Sequence, residues 1–146
     1  MSMQYWSVNG IGLNISKIYP DKVINFVKNH SKDEKILNAF EIMSWDDLID
    51  EYSDYYQNYG NYGDPGLLSI IGEIIFDETG LNISYYRSLE NDNEYLLYEP
   101  SYPWQLSDAD KRLNSYEDLH DIFKPYIEEL GLDKDTFDFH DVQYFG

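Results

Sequence analysis

Between Ser44 and Asn58 the apolar residues recur every three to four positions. Trp45, Leu48, Ile49, Tyr52, Tyr55 and Tyr56 fall on one stripe, the spacing of a core-facing helix. Ser44 followed three residues on by Asp47 is a capping pair, so the helix is predicted to begin there. The same period returns along the chain. Asp21 to His30 turns Val23, Ile24 and Val27 inward behind Pro20. Ser31 to Ile42, opened by Ser31 with Glu34, uses Ile36, Leu37 and Phe40. Asp64, with Pro65 at the first helical position, introduces Leu67, Leu68, Ile70, Ile71, Ile74 and Ile75. These cover most of a helix circumference and predict a central buried helix that stops near Gly80. Ser115 and Asp118 open the last helix, with Leu119, Ile122, Phe123, Tyr126, Ile127 and Leu130 striped along it and Gly131 at its end.

A period of two marks the other segments. Tyr5 to Ile18 reads as extended, with Trp6 and Val8 on one phase and Ile11, Leu13 and Ile15 on the other. The phase changes across Asn9-Gly10, which fits either a two-residue hairpin turn or a bulge. Leu81 to Arg87 and Tyr95 to Tyr98 predict a hairpin joined through Asn91-Asp92-Asn93, and Phe137 to Phe145 a closing strand. Two loops stand out: Tyr59-Gly60-Asn61-Tyr62-Gly63, whose glycines permit positive φ, and Pro100 to Leu106, which carries Tyr102 and Trp104. No repeat, low-complexity tract or linker interrupts the 146 residues. The expectation is one α+β domain over 1–146: an antiparallel sheet of three to five strands with four or five helices packed on it.

Charge changes this picture. The net charge is −18, with 28 acidic and 10 basic side chains. The acids are also segregated. From Leu37 to Tyr86 there are ten Asp or Glu and no Lys or Arg, and from Ser88 to Asp110 six more, again without a basic residue. An ordinary solvated surface intersperses both signs. The polar side of the 44–58 helix concentrates the effect, with Asp46, Asp47, Asp50, Glu51 and Asp54. The early acids gain from the helix dipole, but Asp50, Glu51 and Asp54 lie beyond its reach. Acids four apart repel, so local stability does not favour the pattern. At ~1.5 Å rise per residue the helix runs ~21 Å and carries about one charge per 4 Å. A DNA strand carries one per ~3.4 Å. Such a field repels nucleic acid and anionic membrane and attracts basic partners or cations.

Composition adds two points. Fifteen tyrosines exceed what a core needs, and tyrosine among Gly and Asn is a composition binding surfaces favour. Tyr55, Tyr59, Tyr62, Tyr102 and Trp104 therefore join the acids as candidate partner-binding residues. Abundant Asn, Ile, Tyr and Lys, with Ala and Arg twice each, is the usage of an AT-rich genome, as in many low-GC bacteria and their phages.

Candidate chemistry is sparse. Without cysteine there is no disulfide framework, thiolate zinc site or thiol nucleophile. His140 and Asp141 are neighbours on a strand and point to opposite faces; His30 and His120 lack obvious partners in the sequence. Asp133, Asp135 and Asp138 do not follow the EF-hand order. No phosphate-cradling loop, nucleophile elbow or zinc-protease motif is present. With so many carboxylates, a pair at glycosidase separation carries no weight. The expectation is a protein that is no enzyme and takes no cofactor or metal. No basic, apolar start marks a signal peptide and no apolar run suits a bilayer, so a cytoplasmic location is expected.

In size, charge and the acids Asp46, Asp47, Asp50, Glu51 and Asp54, the chain resembles the small phage-borne anti-defence proteins, including anti-CRISPRs, that mimic nucleic-acid charge. The resemblance implies an inhibitor, a monomer or small homo-oligomer in the host bacterial cytoplasm. Its partner would be a basic nucleic-acid-binding protein such as a nuclease or CRISPR effector, with neither nucleic acid nor membrane bound directly. An immunity protein neutralising a basic toxin nuclease would use the same electrostatic steering. From a different class, the chain could be a small enzyme or a cation-binding module; an enzyme should show a deep pocket with convergent polar groups, and an inhibitor a flat or convex acidic face.

Overall fold

The computed structural model describes residues 5–58, 67–88, 93–99 and 116–145, with backbone alone at 5–7, 52–58, 116, 144 and 145. The described strands are β1 (Tyr5–Asn14), β2 (Ile83–Arg87), β3 (Glu94–Tyr98) and β4 (Phe137–Phe145). The described α-helices are α1 (Pro20–His30), α2 (Glu34–Ile42), α3 (Trp45–Asn58), α4 (Ser69–Thr79) and α5 (Tyr116–Glu129). The strands form one antiparallel sheet in the order β2-β3-β1-β4. The class is α+β.

β1 corrects the sequence reading. Its pairing with β4 runs without a break from Tyr5↔Phe145 to Leu13↔Phe137. The phase change across Asn9-Gly10 is therefore neither a hairpin nor a bulge. It arises because both faces of the strand are covered by apolar groups. Leu13 and Ile15 are fully buried in the main core, with Ile11 packed against it. Val8 faces the other way and packs against a smaller cluster of Tyr95, Leu97 and Val142, beside Tyr86. That cluster takes side chains from all four strands. The two edge strands, β2 and β4, come within 8 Å of each other between Cα atoms, so the sheet curls around it. Gly12 permits the curl, because a Cβ there would lie 2.0 Å from the Leu96 carbonyl oxygen.

The helices cover the opposite face. In α4, Ile70, Ile71, Ile74 and Ile75 are all buried, which makes it the central helix its apolar circumference predicts. It begins at Ser69 rather than Pro65; Asp64 and Pro65 lie outside the described residues. The Ile70 and Ile71 amides donate to the Leu67 and Leu68 carbonyls at 3.3 and 3.2 Å, so Leu67 and Leu68 form a tight turn that leads into the helix. Gly80, at φ 78°, ends it in the left-handed conformation.

α2 also starts later than its sequence suggests. Asp33 is its N-cap, accepting from the Lys35 and Ile36 amides at 2.9 and 3.4 Å. Ser31 instead closes α1, its amide donating to the Val27 carbonyl at 2.8 Å. α1 buries Phe26 beside Val23 and Val27, a residue the predicted stripe leaves out. α5 follows its predicted stripe: Leu119, Phe123, Tyr126 and Ile127 are buried, and Leu130 is buried just beyond its end. Among the described residues, no helix is long and apolar enough to cross a membrane.

Candidate functional site

α3 is positioned by its apolar edge. Leu48 is fully buried and Trp45 packs half-buried against the main core. The Ser44 hydroxyl accepts from the Asp47 amide at 3.2 Å, so the predicted cap forms and fixes the start of the helix. Burial of Leu48 turns the opposite side outward, where Asp46, Asp47, Asp50 and Glu51 are all exposed. Ile49, 39% exposed, lies at the border between the two sides. The structure thus gathers four of the predicted acids on one helix, with no basic residue between Trp45 and Asn58. Asp54 and Tyr55 lie on the same helix, but their side chains are outside the described residues. Tyr59, Tyr62, Tyr102 and Trp104 also fall outside them.

The acidic character continues beyond α3. Glu73 on α4 has its carboxyl held above the ordinary value, first by burial and then by the charges of Asp77 and Asp33. Carboxylates elsewhere are matched by tyrosine hydroxyls. Tyr85 donates to Glu94, Tyr86 to Glu99, and Tyr126 to Glu78 at 2.8 Å. Ser84 adds a second donor to Glu99 at 2.9 Å. A hydroxyl satisfies a carboxylate lone pair without cancelling its charge. Several tyrosines that suggest a binding surface by composition therefore serve the sheet and core: Tyr95 and Tyr126 are buried, while Tyr85, Tyr86 and Tyr98 are half-buried.

His30 corrects the reading that it lacks partners. Its Nδ1 lies 2.8 Å from Glu78 Oε2 and its Nε2 2.7 Å from Glu129 Oε2. The ring stacks on Phe26 with centroids 4.5 Å apart. Burial disfavours the imidazolium, but hydrogen bonds and charge from both glutamates outweigh it and raise the pKa above the ordinary 6.5. Glu78 moves the other way: burial is outweighed by the bonds from His30 and Tyr126 and by the charges of His30 and Lys32, so its pKa falls below 4.5. The Tyr126 hydroxyl is pushed well up, by burial first and then by its bond to Glu78. The partners of His30 stand 48 and 99 residues away in sequence. Only its place in the last turn of a helix is readable without the fold.

The other histidines sit against aromatic rings. His140 Nε2 is 3.0 Å from the Thr136 carbonyl oxygen and its ring lies 5.0 Å from Tyr95. Asp141 falls at the next, opposite-facing position of β4 and is exposed. His120 packs 5.0 Å from Phe137. Asp133, Asp135 and Asp138 are exposed around a short 3-10 turn, Lys134–Thr136. Among the described residues, no three His, Asp or Glu side chains converge as a metal-holding group.

An open cleft of about 470 Å³ lies at the end of the sheet, lined by residues that include Asn14, Ser16, Tyr19, Asn93, Asp133 and His140. Hydrogen bonds tie three of its lining residues, Asn14, Ser16 and Thr136, to one another and to Glu94. Ser16 donates from its amide and hydroxyl to Asn14 Oδ1 at 3.0 and 2.5 Å, and the Glu94 amide donates to the Ser16 hydroxyl at 2.8 Å. Thr136 accepts from the Asn14 amide at 2.8 Å and donates to the Asn14 carbonyl at 2.6 Å. These groups lock the strand ends together.

Fold and surface together define a class: an α+β protein whose curled four-stranded antiparallel sheet carries helices on one face, with an exposed acidic helix, α3, beside them. Comparison with known proteins finds no matching family model, curated protein or solved structure.

Proposed function

We propose that this protein is an acidic inhibitor of a basic, nucleic-acid-handling protein, and that it acts by presenting carboxylates where the partner would receive a phosphate backbone. One observation carries this reading: Asp46, Asp47, Asp50 and Glu51 are all exposed on α3, a helix with no basic residue. Excluding lysine costs the helix the attraction that mixed charges on neighbouring turns provide. A single sign does help a surface that must enter a cationic cleft, where it speeds encounter and rejects neutral competitors. An anti-CRISPR or other anti-defence inhibitor is the form this function takes here.

Competition provides the test. The protein is immobilised, exposed to bacterial lysate and washed, and bound material is eluted with either salt or duplex DNA. The retained protein is expected to be basic, to bind nucleic acid, and to come off with DNA at an ionic strength where buffer alone leaves it bound. Retention that DNA does not disturb, or no salt-sensitive retention, contradicts charge mimicry.

A further inference from the structure

The C-terminal ends of three helices meet at His30. It is the last residue of α1, Glu78 is the penultimate residue of α4, and Glu129 is the last of α5. Each helix C-terminus carries partial negative charge. Three such ends and two carboxylates thus surround one imidazole, whose two ring nitrogens are 2.8 and 2.7 Å from the two glutamates.

We propose that His30 is a proton-operated clasp: as imidazolium it ties the end of α1 to both α4 and α5, and on losing its proton it lets one of those two attachments go. The chemistry follows from counting donors. An imidazolium donates from both nitrogens, whereas neutral imidazole has one donor and one lone pair. After deprotonation one glutamate keeps its bond and the other faces a lone pair with its charge unopposed. The α4–α5 contact survives the change, because Tyr126 donates to Glu78 Oε1 at 2.8 Å independently of His30. The loosened element is therefore α1, whose Phe26 lies under the ring.

The surrounding titratable and charged groups fit this role. From α4 comes Glu78, from α5 Glu129 and Tyr126, and Lys32, in the turn after α1, reaches Glu78 by its charge. Tyr126 holds its proton more tightly than a free tyrosine, so the switching proton belongs to the imidazole. A metal site is not the alternative, since the glutamates lie on opposite ring nitrogens and cannot converge on one ion bound there. Nor is general-base catalysis, because neither nitrogen is open to a substrate. The sign is fixed by the shifts. His30 is raised, so its contribution is complete below 6.5 and disappears as pH climbs through its folded value. Glu78 is lowered, so its contribution is complete above 4.5 and disappears as pH falls through its folded value. The clasp is fully closed between those limits.

The test is a pH series on the intact protein by nuclear magnetic resonance. It follows the ring signals of the three histidines and the amide protection of Phe26 to His30, corrected for intrinsic exchange; the His30→Gln spectrum assigns its signal. His30 is expected to titrate above 6.5, and protection of the last turn of α1 is expected to fall through that same titration. In Glu129→Gln, which keeps the shape and removes the charge, the His30 midpoint should drop and protection should lose most of its pH dependence. Titration of His30 at or below 6.5 overturns the clasp. So does protection that ignores the titration, or a His30 midpoint unmoved by Glu129→Gln.

Discussion

At the scale of single residues, the shortage of cations shapes the bonding. With 28 carboxylates and 10 lysines and arginines, the folded chain gives Glu78, Glu94 and Glu99 tyrosine hydroxyls as donors. These bonds meet the requirement that partly buried polar atoms be paired and leave the negative field intact. Part of the tyrosine excess is thereby explained without a binding role. Gly12 is tightly constrained in the sheet, because a Cβ there would meet the Leu96 carbonyl oxygen at 2.0 Å. The obstacle is backbone rather than a flexible side chain, so Gly12→Ala must move a strand. Overpacking costs about 1–3 kcal/mol or more, and the upper end or beyond is expected here, read as a fall in the urea midpoint. A loss under about 0.5 kcal/mol, the range of an ordinary surface change, would mean that β1 and β3 do not pack this closely.

At the scale of elements, legibility followed whether the determining contacts are local. α4 is readable because its apolar residues cover most of the circumference, leaving one exposed side with Glu73 and Asp77, and so few helical placements suit it other than the centre. Ile71 is fully buried, whereas Ile42 is 80% exposed. Ile71→Ala is expected to cost roughly 2–5 kcal/mol in chemical denaturation, as core truncations do, and Ile42→Ala less than about 0.5 kcal/mol. Equal losses at the two positions would contradict the placement of α4. β1 is misread because alternation reports one buried face, and this strand has apolar cover on both. Only the fold reveals the second cluster. The start of α4 follows the tight turn at Leu67 and Leu68, with no side-chain cap, and that of α2 shifts because a cap depends on which hydroxyl or carboxylate reaches the free amides. Asp33 does so for α2, although Ser31 with Glu34 matches the sequence signature better. The acidic side of α3 is legible since Leu48 and the Ser44 cap are both local features. The His30 cluster is not, because loop closures of 48 and 99 residues bring its members together.

At the scale of the whole molecule, a charge of −18 acts as a field. Like charges destabilise the compact state, so retaining such a charge implies a use for it. The exposed side of α3 is the place where that use is proposed, since its acids are aligned along one element and its apolar edge holds it to the core. Changing Asp46, Asp50 and Glu51 to Lys reverses six units of charge there while Leu48 and Trp45 keep their packing. The decisive measurement is the association rate of this triple variant and the unaltered protein with the DNA-displaceable partner, at low and high ionic strength, with circular dichroism as the control for folding. Steering by a charged face changes association by about 10- to 1,000-fold and weakens with salt. The variant is therefore expected to associate at least about tenfold more slowly at low salt, with the gap narrowing as salt rises. Equal association rates for a folded variant and the unaltered protein would contradict the assignment of α3 as the binding face.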